Sequence, residues 1–357
     1  MADRRSAGLR SGAVAGPTLV PAGDQDDAAN KRIEAFGERV GLTGVLGNLD
    51  RVAREVGTLG SAEGCGYAWD ERDATTKQWW PQGLTTTAEA GPATAARLGG
   101  PVVFAAWYAK RRWRGGEGAV RLAVLDLRDE RLPRYSHVLL VEPYRSIWSR
   151  RWRHRDVAVH AGGLVWVDDR LLVADTRDGF RVFDTRDVVA VPPGTRAARG
   201  CPYLLPQRGR WRASTIPGVR PMRWSFASRD RTELGGDWLI AGEYAASGTG
   251  ARIVRLPLEP LLAGEPAGSV EVVTPAIRSM QGAARVGGRY WVSASRGSRR
   301  RGHLWHGGPG EAFAKFEQAL PIGPEDVSYD VDRRCLWTQT EHPGHRFVLC
   351  VPLPPVG

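Results

Sequence analysis

The feature that most constrains the fold is a repeated unit, clearest between residues 323 and 350. This segment reads as an acidic turn, a strand, a tight turn, a second strand, a Pro-Gly turn and a third strand. Short runs of β-branched and aromatic residues bounded by Gly, Pro and Asp are typical of strands joined by hairpins. Looser copies precede it at residues 280–305, 224–256, 160–183 and 79–127. The chain is therefore built from small antiparallel meanders.

These copies predict an all-β chain folded as a β-propeller with five blades, and six blades as the alternative. One small sheet cannot bury both of its faces, whereas blades packed around an axis bury their faces against each other. The unequal spacing of the copies indicates loop insertions between strands. A β-sandwich is the structural alternative, because it also contains many short strands at regular spacing.

The chain of 357 residues divides into three predicted regions. Residues 1–28 have few large apolar groups, so we expect a disordered tail. Residues 29–60 show apolar residues at helical spacing interrupted by glycines, which predicts a short helical cap. Residues 61–357 form the predicted propeller.

The chain is basic, with a net charge of +11 and 50 Lys plus Arg. Arg alternates with Trp at residues 110–114 and 150–155, a pattern that would suit phosphate contact and base stacking. These clusters fall in different predicted turns, so we interpret them as solvated turns and predict no nucleic-acid partner. No apolar run is long enough for a membrane span, so we predict no membrane partner. The Arg4-Arg5 pair lacks a proper apolar region behind it, which favours a cytoplasmic over a secreted protein.

The four cysteines do not form a zinc motif, because none has CxxC spacing. Cys335 and Cys350 flank one predicted hairpin nearly symmetrically, so a disulfide between them is a hypothesis. Buried free thiols are the alternative.

Two sets of residues are predicted to rim the axis of the propeller. The turns that lead into the inner strands supply the first set: Gln82, His160, Ser228, Gln281, Glu325 and Asp326. The ends of the second strands supply the other set: Tyr108, Asp175, Glu243, Ser295 and Glu341. Carboxylates, a His and amides around an axis are typical of a polar ligand pocket or an active site.

The composition of the two sets predicts a small-molecule enzyme that works by general acid–base catalysis. Crowded carboxylates move each other's pKa values apart, so that one becomes an acid and another a base. The catalytic candidates are His160, Glu325, Asp175, Glu243 and Glu341, and the remaining residues of the two sets are predicted to bind the ligand. Hydrolysis or cyclisation of a glycoside, a lactone or a biosynthetic intermediate fits this chemistry.

Two other functions remain open from the sequence: a non-catalytic propeller that binds a ligand or glycan, and a scaffold for protein interactions. A small-molecule ligand is the predicted partner. No cofactor is predicted, and calcium at the acidic turns is left as an alternative.

Several segments resemble an actinobacterial family of uncharacterised, often secreted, β-propeller-like proteins. The segments are WDERDATTKQWWPQG, VADTRDGFRVFD, MQGAARVGGRYWVSASRG, RRGHLW, GPEDVSY and LWTQTEHPGHR, which lie between residues 69 and 346. The resemblance implies a propeller but no particular activity or catalytic residue. Many members begin with a signal peptide, and this chain departs from them there. The GPED turn is also similar to turns in calcium-dependent propeller hydrolases.

Overall fold

A computed structural model describes residues 16–22, 32–57, 59, 64–110, 117–214, 217–233, 236–248 and 250–355. The described chain is a β-propeller of five blades, which confirms the predicted fold class. Two blades lie in one 14-stranded sheet, and three further sheets of four, four and five strands form one blade each.

Each blade is an antiparallel meander whose strands we number from the axis outwards. The four main strands of blade 1 are Trp79–Thr86, Val102–Lys110, Glu117–Asp126 and Arg134–Arg145. Those of blade 2 are Leu164–Val167, Arg170–Asp175, Gly179–Asp184 and Tyr203–Ser214. Those of blade 3 are Phe226–Asp230, Trp238–Gly242, Ile253–Pro257 and Glu271–Val273.

Blade 4 consists of Met280–Val286, Arg289–Ala294, His303–Gly307 and Ala314–Phe316. Blade 5 consists of Pro324–Asp330, Cys335–Thr340, Phe347–Pro352, Cys65–Ala68 and Arg54–Val56. The inner strands of blades 1 to 5 contact one another in a closed ring. They all begin at the same face of the propeller, where the second strands end, and we call this the opening face.

Apolar clusters fill all five spaces between neighbouring blades. Blades 1 and 2 meet around Phe104 and Trp166, whose ring centroids are 4.3 Å apart. Blades 5 and 1 meet around Trp337 and Trp107, both buried. Further clusters lie between blades 2 and 3, 3 and 4, and 4 and 5. This burial of both sheet faces is why the strands read as near-continuous apolar runs.

The ring closes through a segment from the beginning of the chain. Cys65–Ala68 pairs antiparallel with the third strand of blade 5 and so gives the last blade its fourth strand. Blade 5 also contains the disulfide Cys335–Cys350, as the hairpin had suggested. Blades 1 and 2 are joined differently, because their outer strands pair in parallel over residues 203–206 and 138–141.

The N-terminal segments depart from their predicted structures. Within the predicted tail, Thr18–Ala22 is a strand that pairs with the outer strand of blade 2, because that strand offers a free edge. Within the predicted helical cap, the structure contains the α-helix Gly41–Leu46. Three short strands of this region pair with strands of the propeller: Glu38–Arg39, Arg51–Val52 and Arg54–Val56. Residues 1–15 and 23–31 lie outside the described residues.

The remaining elements are short and lie in the connections. The α-helices are Glu71–Thr75, Thr87–Ala90, Pro92–Leu98 and Leu258–Leu262, the 3₁₀ helices are Thr185–Asp187 and Arg196–Ala198, and the additional strands are Trp152–Asp156, Val189–Ala190 and Ala267–Gly268. Of the helices in the described part of the chain, none has the length and apolar character that a bilayer crossing requires.

Replacing Leu19 with Ala should lower the free energy of unfolding by about 2–5 kcal/mol, because the side chain fills the cluster between blades 2 and 3. Val20→Ala is the matched control, since Val20 lies in the same strand and is 36% exposed; its effect should stay below about 1 kcal/mol. Denaturant unfolding measures both. Equal effects would mean that this strand is not packed as described.

Candidate functional site

Irregular strands shape the axis at the opening face. The pairing register shifts in the inner strands of blade 1 between Pro81 and Leu84 and of blade 5 between Pro324 and Val327. A third shift lies in the inner strand of blade 4, beside Met280. A β-bulge re-aims the side chain of its extra residue. Gln82, Gln281, Glu325 and Asp326 of the first predicted set all lie at these shifts.

Two carboxyl groups from blade 5 lie together at this end of the axis. Glu325 is only 2% exposed, and its Oε1 accepts a hydrogen bond from Gln281 Nε2 at 3.1 Å. Glu341 follows the second strand of the blade, and its Oε2 accepts a hydrogen bond from Gln82 Nε2 at 3.3 Å. The structure thus brings four of the predicted residues into one site, with one amide holding each carboxyl group.

The surroundings of Glu325 favour its protonated form. Burial is the largest cause, and the negative charges of Glu341 and Asp326 add to it, so the pKa of Glu325 lies well above its usual range. A carboxyl group that keeps its proton beside a second carboxyl group can donate that proton to a bound molecule. The pair therefore has the asymmetry that general acid–base chemistry needs.

Asp326 has a structural role one residue further along the strand. Its Oδ2 accepts hydrogen bonds from the backbone N–H groups of Leu84 and Leu164, at 3.1 and 3.2 Å. One carboxyl group therefore connects the inner strands of blades 5, 1 and 2. Burial raises its pKa well above the usual range, although these N–H donors oppose the rise. Asp326 stays a predicted ligand-binding residue, but the contacts described are with the protein.

The opposite end of the axis carries a buried carboxyl group that sequence reasoning missed. The helix Thr87–Ala90 contacts the inner strands of blades 1, 2, 3 and 5. Its Glu89 accepts a hydrogen bond from Thr85 Oγ1 at 2.8 Å, and burial raises the pKa of Glu89 to about 8. A Glu in a four-residue helix after a strand gives no sequence signal that it faces an axis.

Glu89→Gln should weaken the pH dependence of stability. The folded pKa of about 8 lies above the unfolded value of about 4.3. The stabilisation from protonated Glu89 is therefore complete below about pH 4 and is lost as the pH rises through 8. The variant should be less sensitive to pH between 5 and 8 in denaturant titrations. Glu55→Gln, at an exposed position of blade 5, is the control; the same change in slope for both variants would contradict the assignment.

Asp175 and Glu243 do not join this site, which corrects their predicted catalytic role. Asp175 accepts a hydrogen bond from Arg181 Nε at 2.9 Å, on the third strand of blade 2. Buried Glu243 accepts hydrogen bonds from Arg252 Nε at 2.9 Å and from Arg223 N at 3.0 Å. Arginines on or beside the third strands thus draw both carboxylates away from the axis. Strand-end position alone does not show which way such side chains turn.

His160 and Tyr108 pair with each other in the space between blades 1 and 2. Their ring centroids are 4.6 Å apart, and Tyr108 is buried within the apolar cluster there. The adjacent Gly162 has no room for a side chain, because a Cβ would lie 2.1 Å from the carbonyl oxygen of Ser225. The role of His160 as a base stays a prediction.

The hydroxyl groups of the two predicted serines form hydrogen bonds with backbone atoms. Ser228 Oγ donates to the carbonyl oxygen of Ala283 at 2.6 Å and so links blades 3 and 4. Ser295 Oγ accepts a hydrogen bond from Gly297 N at 3.3 Å within its own turn. These contacts suit connecting residues, and ligand binding by either serine remains a prediction.

Four residues beside Glu341 were not predicted, and we call them the Trp80 cluster: Trp80, Lys110, His342 and Arg346. Lys110 Nζ lies 3.1 Å from the Trp80 ring centroid, and Arg346 Cζ lies 5.4 Å from it. The His342 ring meets Trp80 edge-on at 6.3 Å. Its Nε2 lies 3.6 Å from Glu341 Oε1. Two features of the sequence could have indicated this cluster: the segment TEHPGHR, and the position of Lys110 at the end of a second strand.

A buried ionic network lies behind this cluster in the seam between blades 5 and 1. Asp73 contacts Arg121 at 2.6 Å, His137 and Tyr135 at 2.8 Å each, and Arg51 at 3.0 Å. Burial would raise the pKa of Asp73, but the His137 hydrogen bond and the arginine charges lower it well below its usual range. Burial lowers the pKa of His137 to about 4, so it is neutral at physiological pH.

Metal ligands do not converge in the part of the chain that the structure describes. No group of three or more His, Cys, Asp or Glu side chains there is arranged to hold an ion. Calcium at the acidic turns therefore stays a prediction from the sequence.

Comparison with known proteins finds no matching family model and no matching curated protein. Among solved structures, the β-propeller domain of Myceliophteria thermophila Cps50 (Swd1) is similar at 11% identity and a TM-score of 0.34, covering 77% of this chain and 84% of that one. A GH43_1 enzyme from Xanthomonas citri has 10% identity and a TM-score of 0.38, covering 80% and 90%. RS223-Beta-xylosidase has 10% identity and a TM-score of 0.36, covering 78% and 96%. Likeness at this level says nothing about what this chain binds or converts.

Proposed function

We propose that this chain is a hydrolase for a small polar substrate, with a glycoside as the first class to test. The observation that carries the proposal is the Glu325–Glu341 pair, in which burial raises the pKa of Glu325 beside a second carboxyl group. Enzymes that cleave a glycosidic bond usually use two carboxyl groups that lie in different environments. Propellers place such groups where a small molecule can reach the axis.

In the proposed reaction Glu325 is the acid. Its proton passes to the leaving-group oxygen as the bond from that oxygen to the anomeric carbon breaks. Water adds to the anomeric carbon, and its proton passes to Glu341. The amides of Gln281 and Gln82 hold the two carboxyl groups in place before the substrate arrives. Both protons are accounted for, and no cofactor is required.

A non-catalytic ligand-binding propeller is the alternative. A binder needs a buried carboxyl group only as a hydrogen-bond partner, whereas an acid catalyst also needs it to give its proton to the substrate. Saturable binding of a glycoside without turnover would establish the alternative and overturn the enzyme proposal.

Glu325→Gln should lower kcat/KM by about 10²–10⁴-fold on glycosides with poor leaving groups. It should lower kcat/KM much less on aryl glycosides, whose leaving groups need little protonation. Wild-type activity should fall as the pH rises through the raised pKa of Glu325, because the acid is then ionised. Release of 4-methylumbelliferone and of free sugar measures the two substrate classes.

Asp175→Asn is the matched control, since Asp175 is a partly exposed carboxylate that bonds to Arg181 away from the axis. It should leave both rates and the pH profile unchanged. Equal loss in Glu325→Gln on good and poor leaving groups would exclude Glu325 as the acid.

The disulfide bears on location. We infer that the protein works outside a reducing cytoplasm, because structural disulfides persist in oxidising compartments. The N-terminal sequence favours a cytoplasmic location instead, so the two lines of reasoning point to different compartments.

Alkylation without reductant should label two of the four cysteines, Cys65 and Cys201, and alkylation after reduction should label all four. Intact-mass analysis counts the labels in each case. Cys335→Ser should free Cys350 for labelling. Four labelled thiols in protein kept under air would remove both the disulfide and the inferred location.

A further inference from the structure

We propose that the Trp80 cluster is a subsite for an oxyanion, a carboxylate or phosphate group carried by the substrate beside the Glu325–Glu341 pair. The place of this anion in a reaction rests on the proposed function. The binding of an anion does not, because it depends only on the cluster itself.

Two cations share one indole ring in this cluster. Lys110 Nζ lies 3.1 Å and Arg346 Cζ 5.4 Å from the centroid of Trp80. Burial lowers the pKa of Lys110; the charge of Glu341 opposes this shift and the charge of Arg346 adds to it. In the described part of the chain Lys110 forms no ion pair with a carboxylate. Glu341 is also shared with Gln82 and His342. The cluster is therefore short of negative charge.

Unused hydrogen-bond donors point to the same ligand. Arg346 is 1% exposed, and its Nε and Nη1 donate to the carbonyl oxygens of Glu341 and Asp73, at 2.8 Å each. Its Nη2 is buried and has no hydrogen-bond partner in the described structure. His342 Nε2 also lacks a hydrogen bond there, and it lies 3.6 Å from Glu341 Oε1. Buried donors are usually satisfied, so the open N–H of Arg346 Nη2 is available to an acceptor that arrives from outside.

The chemistry of the donors selects an oxyanion. A guanidinium N–H, an imidazole nitrogen and an ammonium group together match the oxygens of a carboxylate or phosphate. Burial raises the pKa of the neighbouring Glu325, which favours its uncharged form beside such a ligand. A substrate would then place its anionic group over Trp80 and its scissile bond at Glu325.

The test is calorimetric titration at constant ionic strength with D-glucuronate, D-glucose 6-phosphate, inorganic phosphate and D-glucose. The wild type should bind at least one of the three anions saturably and about tenfold or more tightly than D-glucose. The two sugar anions distinguish a carboxylate from a phosphate ligand. Inorganic phosphate shows whether the anion is recognised without a sugar.

Lys110→Met should weaken anion binding about tenfold or more, because it removes one of the two cations at the indole. Lys315→Met is the matched control: Lys315 Nζ also lies near an indole, 5.8 Å from the Trp305 centroid, but it is neutralised by Glu317 at 2.5 Å. It should leave affinity unchanged. His342→Phe, which keeps a ring against Trp80, should weaken binding as well.

The proposal is overturned if the anions bind no better than D-glucose, or if both lysine variants lose affinity equally. The second result would mean diffuse attraction by the basic surface. Glu325→Gln separates the two proposals, because it should lower the turnover of glycosides with poor leaving groups and leave anion binding intact. Anion binding without any glycoside turnover in the wild type would leave the subsite standing and remove the hydrolase.

Discussion

The structure depends on closing a ring of five sheets, so that every blade buries both faces against apolar neighbours. The five clusters between blades leave only the outermost strands at the edge, where Thr18–Ala22 and Arg54–Val56 add further pairing. Closure needs the strand Cys65–Ala68, because without it blade 5 would end on an unpaired strand. A ring that is packed in this way holds the inner strands at fixed positions around the axis, with little freedom to relax.

That rigidity explains the electrostatics of the axis. Inner strands forced together exclude water, so polar groups there must bind one another or remain protonated. Asp326 accepts hydrogen bonds from two backbone N–H groups and Glu325 from a single amide donor, and burial raises the pKa of both carboxyl groups. The acid of the proposed site is thus a consequence of ring closure. A looser ring would hydrate Glu325 and return it to an ordinary carboxylate.

The blades and part of the candidate site could be predicted from the sequence. Turn residues and apolar strands mark each meander, and the acidic turn before Val327 marks Glu325 and Asp326 as axial residues. The sequence does not carry the direction of a strand-end side chain, which is set by partners such as Arg181 and Arg252 on or beside neighbouring strands. Nor does it show pairing at a free edge, which is why the strand Thr18–Ala22 could not be foreseen from its composition.

The Trp80 cluster was hidden for a related reason, because it lies at the seam where the ring closes. Trp80 and Lys110 come from blade 1, whereas Glu341, His342 and Arg346 come from blade 5, far away in sequence. The buried Asp73 network fills the same seam and holds Arg346 through a backbone oxygen. The candidate site and the closure of the ring therefore depend on the same contacts between blades 5 and 1. Anything that loosens the pairing of Cys65–Ala68 should disturb the acid pair and the cluster together, which couples the integrity of the ring to whatever the site does.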